Sequence, residues 1–129
     1  SLHDALPILA SKGVELLLGA KRDPQWGVVM MLGLGGVWVE ALNDVLLLPA
    51  DMTPAQIAEE MKRLKGAALL DGLRGSPPVD VAAVSEAVSA LAQWVLAHPE
   101  IIEVDINPLI ALPRGQGVVA LDAVFVASD

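Results

Sequence analysis

The chain has 129 residues, 54% of them hydrophobic, and no cysteine, so it has apolar matter for one compact domain and cannot use disulfides, thiolate metal ligands or a cysteine nucleophile. Sixteen acidic against eight basic residues leave a net charge of −8, which argues against a nucleic-acid backbone as partner, and 3% aromatic content argues against a stacking platform for bases. The longest apolar run, residues 28–39, is interrupted by Gly33, Gly35 and Gly36 and is too short to span a bilayer as a helix. The first ten residues lack the basic leader and apolar run of a signal peptide, and a soluble, cytoplasmic protein is expected.

Residues 1–12 fit the rest of the chain poorly, and the domain is expected over 13–129. Short strands come first, at Val14–Gly19, Val28–Leu32, Val37–Val39 and Val45–Leu47, with Arg22-Asp23-Pro24 as a turn between the first two. Thr53-Pro54-Ala55-Gln56 then supplies a capping hydroxyl, a proline at the first helical position and a glutamine three residues after the cap, a helix start whose buried stripe is Ile57, Met61 and Leu64. A second helix is expected from an Asp80 cap to the residues before Pro99, burying Val84, Val88, Leu91 and Val95. A hairpin closes the chain, turning at Pro113–Gly117. The pattern is α+β: a largely antiparallel sheet with two main helices packed on it.

The hairpin carries the chemistry. Glu103, Asp105 and Asn107 alternate with Ile102, Val104 and Ile106, so an extended chain throws the three oxygen-bearing side chains to one face. Pairing Leu112 with Gly117 across the turn brings Asn107 opposite Asp122, adding a fourth oxygen to that face. An amide oxygen and a carboxylate a strand apart suit magnesium, which takes few protein ligands and keeps positions for water and phosphate. A slip of one residue would send Asp122 to the other side. The plainer reading is the solvated outer face of an edge hairpin, where alternating charge is ordinary. Two details favour a site: Asn107-Pro108 predicts a bend or bulge that re-aims side chains, and Asp122 lies in an otherwise apolar segment.

Other candidates are less specific. Gly33-Leu34-Gly35-Gly36 reads either as backbone donors for a phosphate or as a tight turn between strands, and is neither a Walker nor a Rossmann signature. Gly72-Leu73-Arg74-Gly75 reads as a loop that presents a guanidinium to an anion, or as a plain loop. Glu40 reads as a surface carboxylate. His98, at a helix end before Pro99, reads as structural, and neither it nor His3 is a convincing acid, base or phosphoryl carrier.

Four motifs in order, GVELLLGAKRDPQWGVVMMLGLGGVWVE, ALLDGLRGSPPVD, HPEIIEVDINPLIAL and VVALDA, resemble the C-terminal half of the ATP-grasp region of NDP-forming acyl-CoA synthetases of the ADP-forming acetate–CoA ligase type, relatives of the succinyl-CoA synthetase beta subunit. The resemblance runs from about Gly13 to Ala127. It implies an ATP-grasp C-terminal lobe in which Asn107 and Asp122 bind the Mg2+ of the nucleotide (ATP or ADP). It also implies that Asp105 lies near a phosphohistidine, as a candidate catalytic residue, and that Gly35, Gly36 and Arg74 fall at nucleotide- or phosphate-binding motif positions. Arg22, Asp23, Glu40 and Gly75 match further motif positions with no assigned role. The implied reaction is acyl-CoA + ADP + phosphate to acid, CoA and ATP. The implied partners are an upstream ATP-grasp lobe, which carries the phosphate-binding lysine, and a CoA-binding, histidine-bearing domain or subunit. The lobe alone is expected to be an incomplete, catalytically silent piece. Two alternatives remain: a noncatalytic association module of the same fold, and part of a succinyl-CoA or malyl-CoA type ligase subunit. Many relatives carry an arginine soon after the pair matching Asp44-Val45, and another after the final Asp-Ala; this chain has Leu46–Leu48 and Val124 there, so the anion contacts of those arginines are not carried over.

Overall fold

The computed structural model describes residues 13–35 and 43–129, the side chain of Arg74 excepted. Strands β1 (Val14–Asp23), β2 (Gly27–Leu34) and β3 (Val45–Pro49) form a meander. Helices α1 (Pro54–Met61), α2 (Ala67–Leu70) and α3 (Val81–Ala97) follow, with a 3-10 turn at Leu73–Gly75 before α3; β4 (Ile101–Ala111), β5 (Val118–Ala120) and β6 (Ala123–Ala127) complete the order. The six strands make one sheet, β3-β2-β1-β4-β5 with β6 also on β4, and every pairing is antiparallel. The expected α+β architecture is therefore present. The strand expected at Val37–Val39 lies outside the described residues.

Period-two alternation builds the core. Leu16, Leu18 and Ala20 of β1, Val28, Met30, Leu32 and Leu34 of β2, Leu48 of β3 and Val104 of β4 are buried with Ile57 and Met61 of α1 and Val84, Val88, Ala92 and Val95 of α3 in one cluster. Full burial of a leucine or valine contributes about 1.5–3 kcal/mol, so this face accounts for most of the driving force. The opposite face exposes Met31, Leu47, Val124 and Val126. Two helix expectations change in detail. Ala92, not Leu91, takes the central position of α3, because a small side chain lets the helix approach the sheet while Leu91 packs partly buried at the flank. Leu64 is buried but lies past the end of α1, in a turn where its amide donates to Met61 O at 3.2 Å.

β1 runs to Asp23, so Arg22 belongs to the strand and not to the turn. Its guanidinium donates from Nε to Ile101 O (3.0 Å) and from one terminal nitrogen to Val95 O (2.6 Å) and His98 O (3.2 Å). It thus adds a charged donor to Val95 O and His98 O, which also accept the His98 and Ile101 amides, and holds the start of β4 against the C-terminus of α3. Asp23 accepts the amides of Gln25 (2.8 Å) and Trp26 (2.9 Å), making the β1–β2 turn. These amides, Trp26 first, hold the Asp23 carboxyl below the usual carboxylate range. At the other end of α3, Asp80 accepts the Ala83 amide at 3.1 Å as the helix cap. It also accepts the amides of Gly115 (3.1 Å) and Gly117 (2.9 Å) from the hairpin turn. The Gly117 amide, ahead of that of Ala83, lowers its pKa.

Replacing Arg22 by alanine should lower stability by about 2 kcal/mol, the range for hydrogen bonds to a charged donor, measured by chemical denaturation. Arg22→Lys should recover less than half of the loss, since one ammonium cannot match the fork's reach. For Asp80 the sign follows from its depressed folded pKa: its stabilisation is complete above the unfolded value of about 3.9 and disappears as pH falls through the lower folded value. The stability gap between the wild type and Asp80→Ser should therefore be flat from neutrality to about pH 4 and shrink below it; a gap that widens in acid would contradict the assignment.

Candidate functional site

The hairpin register places the polar residues of β4. Ile106 pairs with Ala123 and Leu109 with Ala120, and between these pairs the Asn107 amide donates to Asp122 O at 3.1 Å and the Leu121 amide to Pro108 O at 3.1 Å. The Leu112 amide donates to Gly117 O at 3.0 Å. Asn107 and Asp122 therefore sit opposite each other, in the register expected from the turn. On the other side of β4, Leu16 pairs with Leu109 but Leu18 with Ile106, so β4 carries one extra residue at Asn107-Pro108, whose peptide is cis. This is the expected bulge.

Asn107 and Asp122 are both exposed, and cross-strand partners share a face. Asp105 is also exposed, opposite Gly19 of β1 and Val124 of β6. Glu103 lies one row further along, opposite Lys21 and Val126. Val104, between the two acids, is buried among the core residues, and Ile106 packs partly buried against them. The alternation thus delivers Glu103, Asp105 and Asn107 away from the helices, toward the face bearing Met31 and Leu47. The four oxygens do not converge, however. Residues two apart on a strand are separated by about 6.6 Å, and among the described residues no group of three His, Cys, Asp or Glu side chains lies close enough to hold a metal. The Asn107–Asp122 pair is what remains as a hard-oxygen donor set, one amide oxygen and one carboxylate. That suits a magnesium ion whose other positions are taken by water and phosphate.

The remaining candidates fare differently. The Gly35 amide donates to Glu15 O at 2.8 Å, and a Cβ at Gly35 would lie 3.2 Å from that oxygen. Close strand approach accounts for this glycine, and a donor engaged in this way is not offered to a phosphate. Gly36 and Glu40 lie outside the described residues. Arg74 falls in the 3-10 turn, entered through Gly72 at φ +91° and left through Gly75 at φ +80°. His98 terminates α3, its Nδ1 2.7 Å from Trp94 O and its ring stacked on Trp94 with centroids 4.5 Å apart, in keeping with a structural role. A cavity of about 320 Å3 lined by Met61, Lys62, Leu70, Asp71, Val81 and Arg114 opens in the helix layer, and neither Asn107 nor Asp122 lines it.

One important side chain escaped the sequence reading. Asp44 is buried, and its carboxylate accepts the amides of Lys65 (2.6 Å) and Gly66 (2.7 Å), while its carbonyl accepts the Leu34 amide at 3.1 Å. It ties the start of β3 to the turn between α1 and α2. No local signal announces this, because the partners lie 21 and 22 residues away.

The described residues thus form a sheet covered by helices on one side, with Glu103, Asp105, Asn107 and Asp122 exposed. The sequence profile of the ATP-grasp domain matches residues 6–126, and the chain belongs to that family. It is 42% identical over 118 residues to a trans-feruloyl-CoA synthase of an unknown prokaryotic organism, an alignment covering 92% of this chain and 17% of that protein. It is 38% identical over 111 residues to the beta subunit of the ADP-forming acetate–CoA ligase I of Pyrococcus furiosus, covering 86% and 47%. A dinucleotide-forming acetyl-coenzyme A synthetase of Ca. Korarchaeum cryptofilum, solved with coenzyme A and Mg-AMPPCP, matches with a TM-score of 0.81 and 42% identity, covering 89% of this chain and 53% of that one. The chain thus spans about half, or much less, of the proteins it matches. Among the described residues no helix is long and apolar enough to cross a membrane.

Removing the Asp44 carboxylate should leave the Lys65 and Gly66 amides without their acceptor. The expected destabilisation of Asp44→Ala is on the order of 3 kcal/mol, with Asp44→Asn intermediate, read from denaturant midpoints.

Proposed function

We infer that the chain is the Mg-nucleotide-binding lobe of an ADP-forming acyl-CoA synthetase. In the complete enzyme, acyl-CoA, ADP and phosphate are converted to acid, CoA and ATP through a phosphohistidine carried on another domain or subunit. The observation that supports this best is the pairing of Asn107 with Asp122 at the bulge of β4, in a chain of the ATP-grasp family. Magnesium bound there supplies neutralisation of phosphate charge as the phosphoryl group is transferred. Asp122 contributes a carboxylate and Asn107 a neutral amide oxygen, and the cross-strand pairing keeps both in place without reorganisation. Asp105, on the same strand face, is read as the acidic residue near the incoming phosphohistidine, where a carboxylate could accept an N–H of that ring. Arg74, between two left-handed glycines, is read as an anion contact, and Gly36 as a backbone donor to phosphate.

The similar acetyl-coenzyme A synthetase of Ca. Korarchaeum cryptofilum was solved with its phosphohistidine segment pointing towards the nucleotide-binding site, which supports the same arrangement here. The partners are then an upstream ATP-grasp lobe and a CoA-binding, histidine-bearing domain. Met31, Leu47, Val124 and Val126, exposed on the site's face, fit burial against such a lobe. They also favour a second reading, a noncatalytic association module that docks through this face.

Alanine at Asn107 or Asp122, in an enzyme completed with the upstream lobe and the histidine-bearing partner, separates the two. The catalytic reading expects at least a hundredfold loss of turnover, about 2.7 kcal/mol of transition-state stabilisation, with a higher magnesium requirement. The module reading expects nearly unchanged rates. The lobe by itself should show no acyl-CoA synthetase turnover, and chelation of divalent cations should silence the completed enzyme.

A further inference from the structure

Asp80 contacts no ligand candidate, yet its carboxylate bonds at once to the start of α3 and to the hairpin turn. One oxygen caps α3 through the Ala83 amide, and the other accepts the amides of Gly115 and Gly117. The segment preceding α3 reinforces the link: the Asp80 amide donates to Leu112 O (2.8 Å), the Arg114 amide to Pro78 O (2.9 Å), and Val79 bridges to Pro113. Gly115 and Gly117 both stand at φ +85°, so two of the turn's five residues hold many conformations when unrestrained. A loosely held glycine turn is where a hairpin slips in register.

The pairing of Leu112 with Gly117 is continuous with that of Asn107 with Asp122. We propose that Asp80 is a positioning residue for the metal-binding pair: by holding the Gly115 and Gly117 amides it fixes the hairpin register that sets Asn107 opposite Asp122. The inference rests on the function proposed above. It assigns to the Pro77-Pro78-Val79-Asp80 segment a part in metal binding exerted from the far end of the hairpin. α3, anchored in the core, is the rigid body against which the turn is held.

Asp80→Ser is the decisive variant. A serine hydroxyl still caps the helix but is too short to reach the turn, so the helix is retained while the hairpin is released. Asp80→Asn is milder: one of its two acceptor positions becomes a donor, and the amide cannot satisfy Ala83 and both glycines together. In the completed enzyme, below the melting temperature of every variant, the magnesium concentration for half-maximal turnover should rise about tenfold in Asp80→Ser, as is usual when support behind a metal ligand is lost. It should rise less in Asp80→Asn, with KM for CoA unchanged in both. A purely structural Asp80 would lower the melting temperature and the active fraction and leave the magnesium requirement where it was. That result, alongside a raised requirement in Asp122→Ala, overturns the proposal and leaves the proposed function standing. An unchanged requirement in Asp122→Ala itself overturns both. Should Asp80→Ser fail to fold, the same readings on Asp80→Asn decide.

Discussion

A strand alternates its faces strictly, and β4 breaks that rule both near its start, between Ile101 and Glu103, and at Asn107-Pro108, where the polar pair lies. Val104 and Leu109 both belong to the core, although residues five apart on a regular strand point to opposite sides. The extra residue at Asn107-Pro108 reconciles them. Across the hairpin, Ala120 to Ala123 span the same three steps as Leu109 to Ile106, so both strands carry the irregularity and their pairing continues through it. The polar pair lies at this shared break, where the backbone is re-aimed without loss of register. Upstream of it β4 presents Asp105 and Glu103 away from the helices. Downstream, Leu109 and Ala111 return to the core.

Three side chains hold this arrangement by bonding to backbone far away in the chain. Arg22 fixes the C-terminus of α3 and the first residue of β4, Asp80 fixes the N-terminus of α3 and the hairpin turn, and Asp44 fixes the entry to β3. Each is a charged group that satisfies two or three main-chain groups, stronger in a partly buried setting than exposed ion pairs such as Lys62–Glu59. Arg22 and Asp23, which stood out as motif positions without a role, are thereby accounted for by the fold. Their polar groups bond to helix and turn termini.

The two faces of the sheet divide the work. One is closed by α1 and α3 and provides the stability; the other combines hard-oxygen donors with exposed methionine, leucine and valine side chains. Large apolar groups next to acids are costly to leave in water and suit a surface that is completed by another body. A chain that spans 17% of one curated relative and 47% of another is consistent with that division.

Local patterns in the sequence were sufficient wherever the physics is local. Thr53 with Gln56 marks a capping box, present in both halves; Asp80 marks the start of α3; alternation along 103–107 assigns the faces of β4, though not that of Ile102, which is exposed at a register shift; and the five-residue turn at 113–117 sets Asn107 against Asp122 by counting alone. Long-range packing decided the rest. Ala92 displaced Leu91 because helix-to-sheet distance is set by the whole layer. Gly35 proved to be a close-approach residue because β1 lies beside it, and Glu103 and Asp105 stayed apart from Asn107 and Asp122 because strand rise separates them. Asp44, Arg22 and the second half of Asp80's role depend on backbone groups brought from 21 to 79 residues away. One chain's order of residues does not encode such meetings in any short window, since they exist only after the core has closed around them.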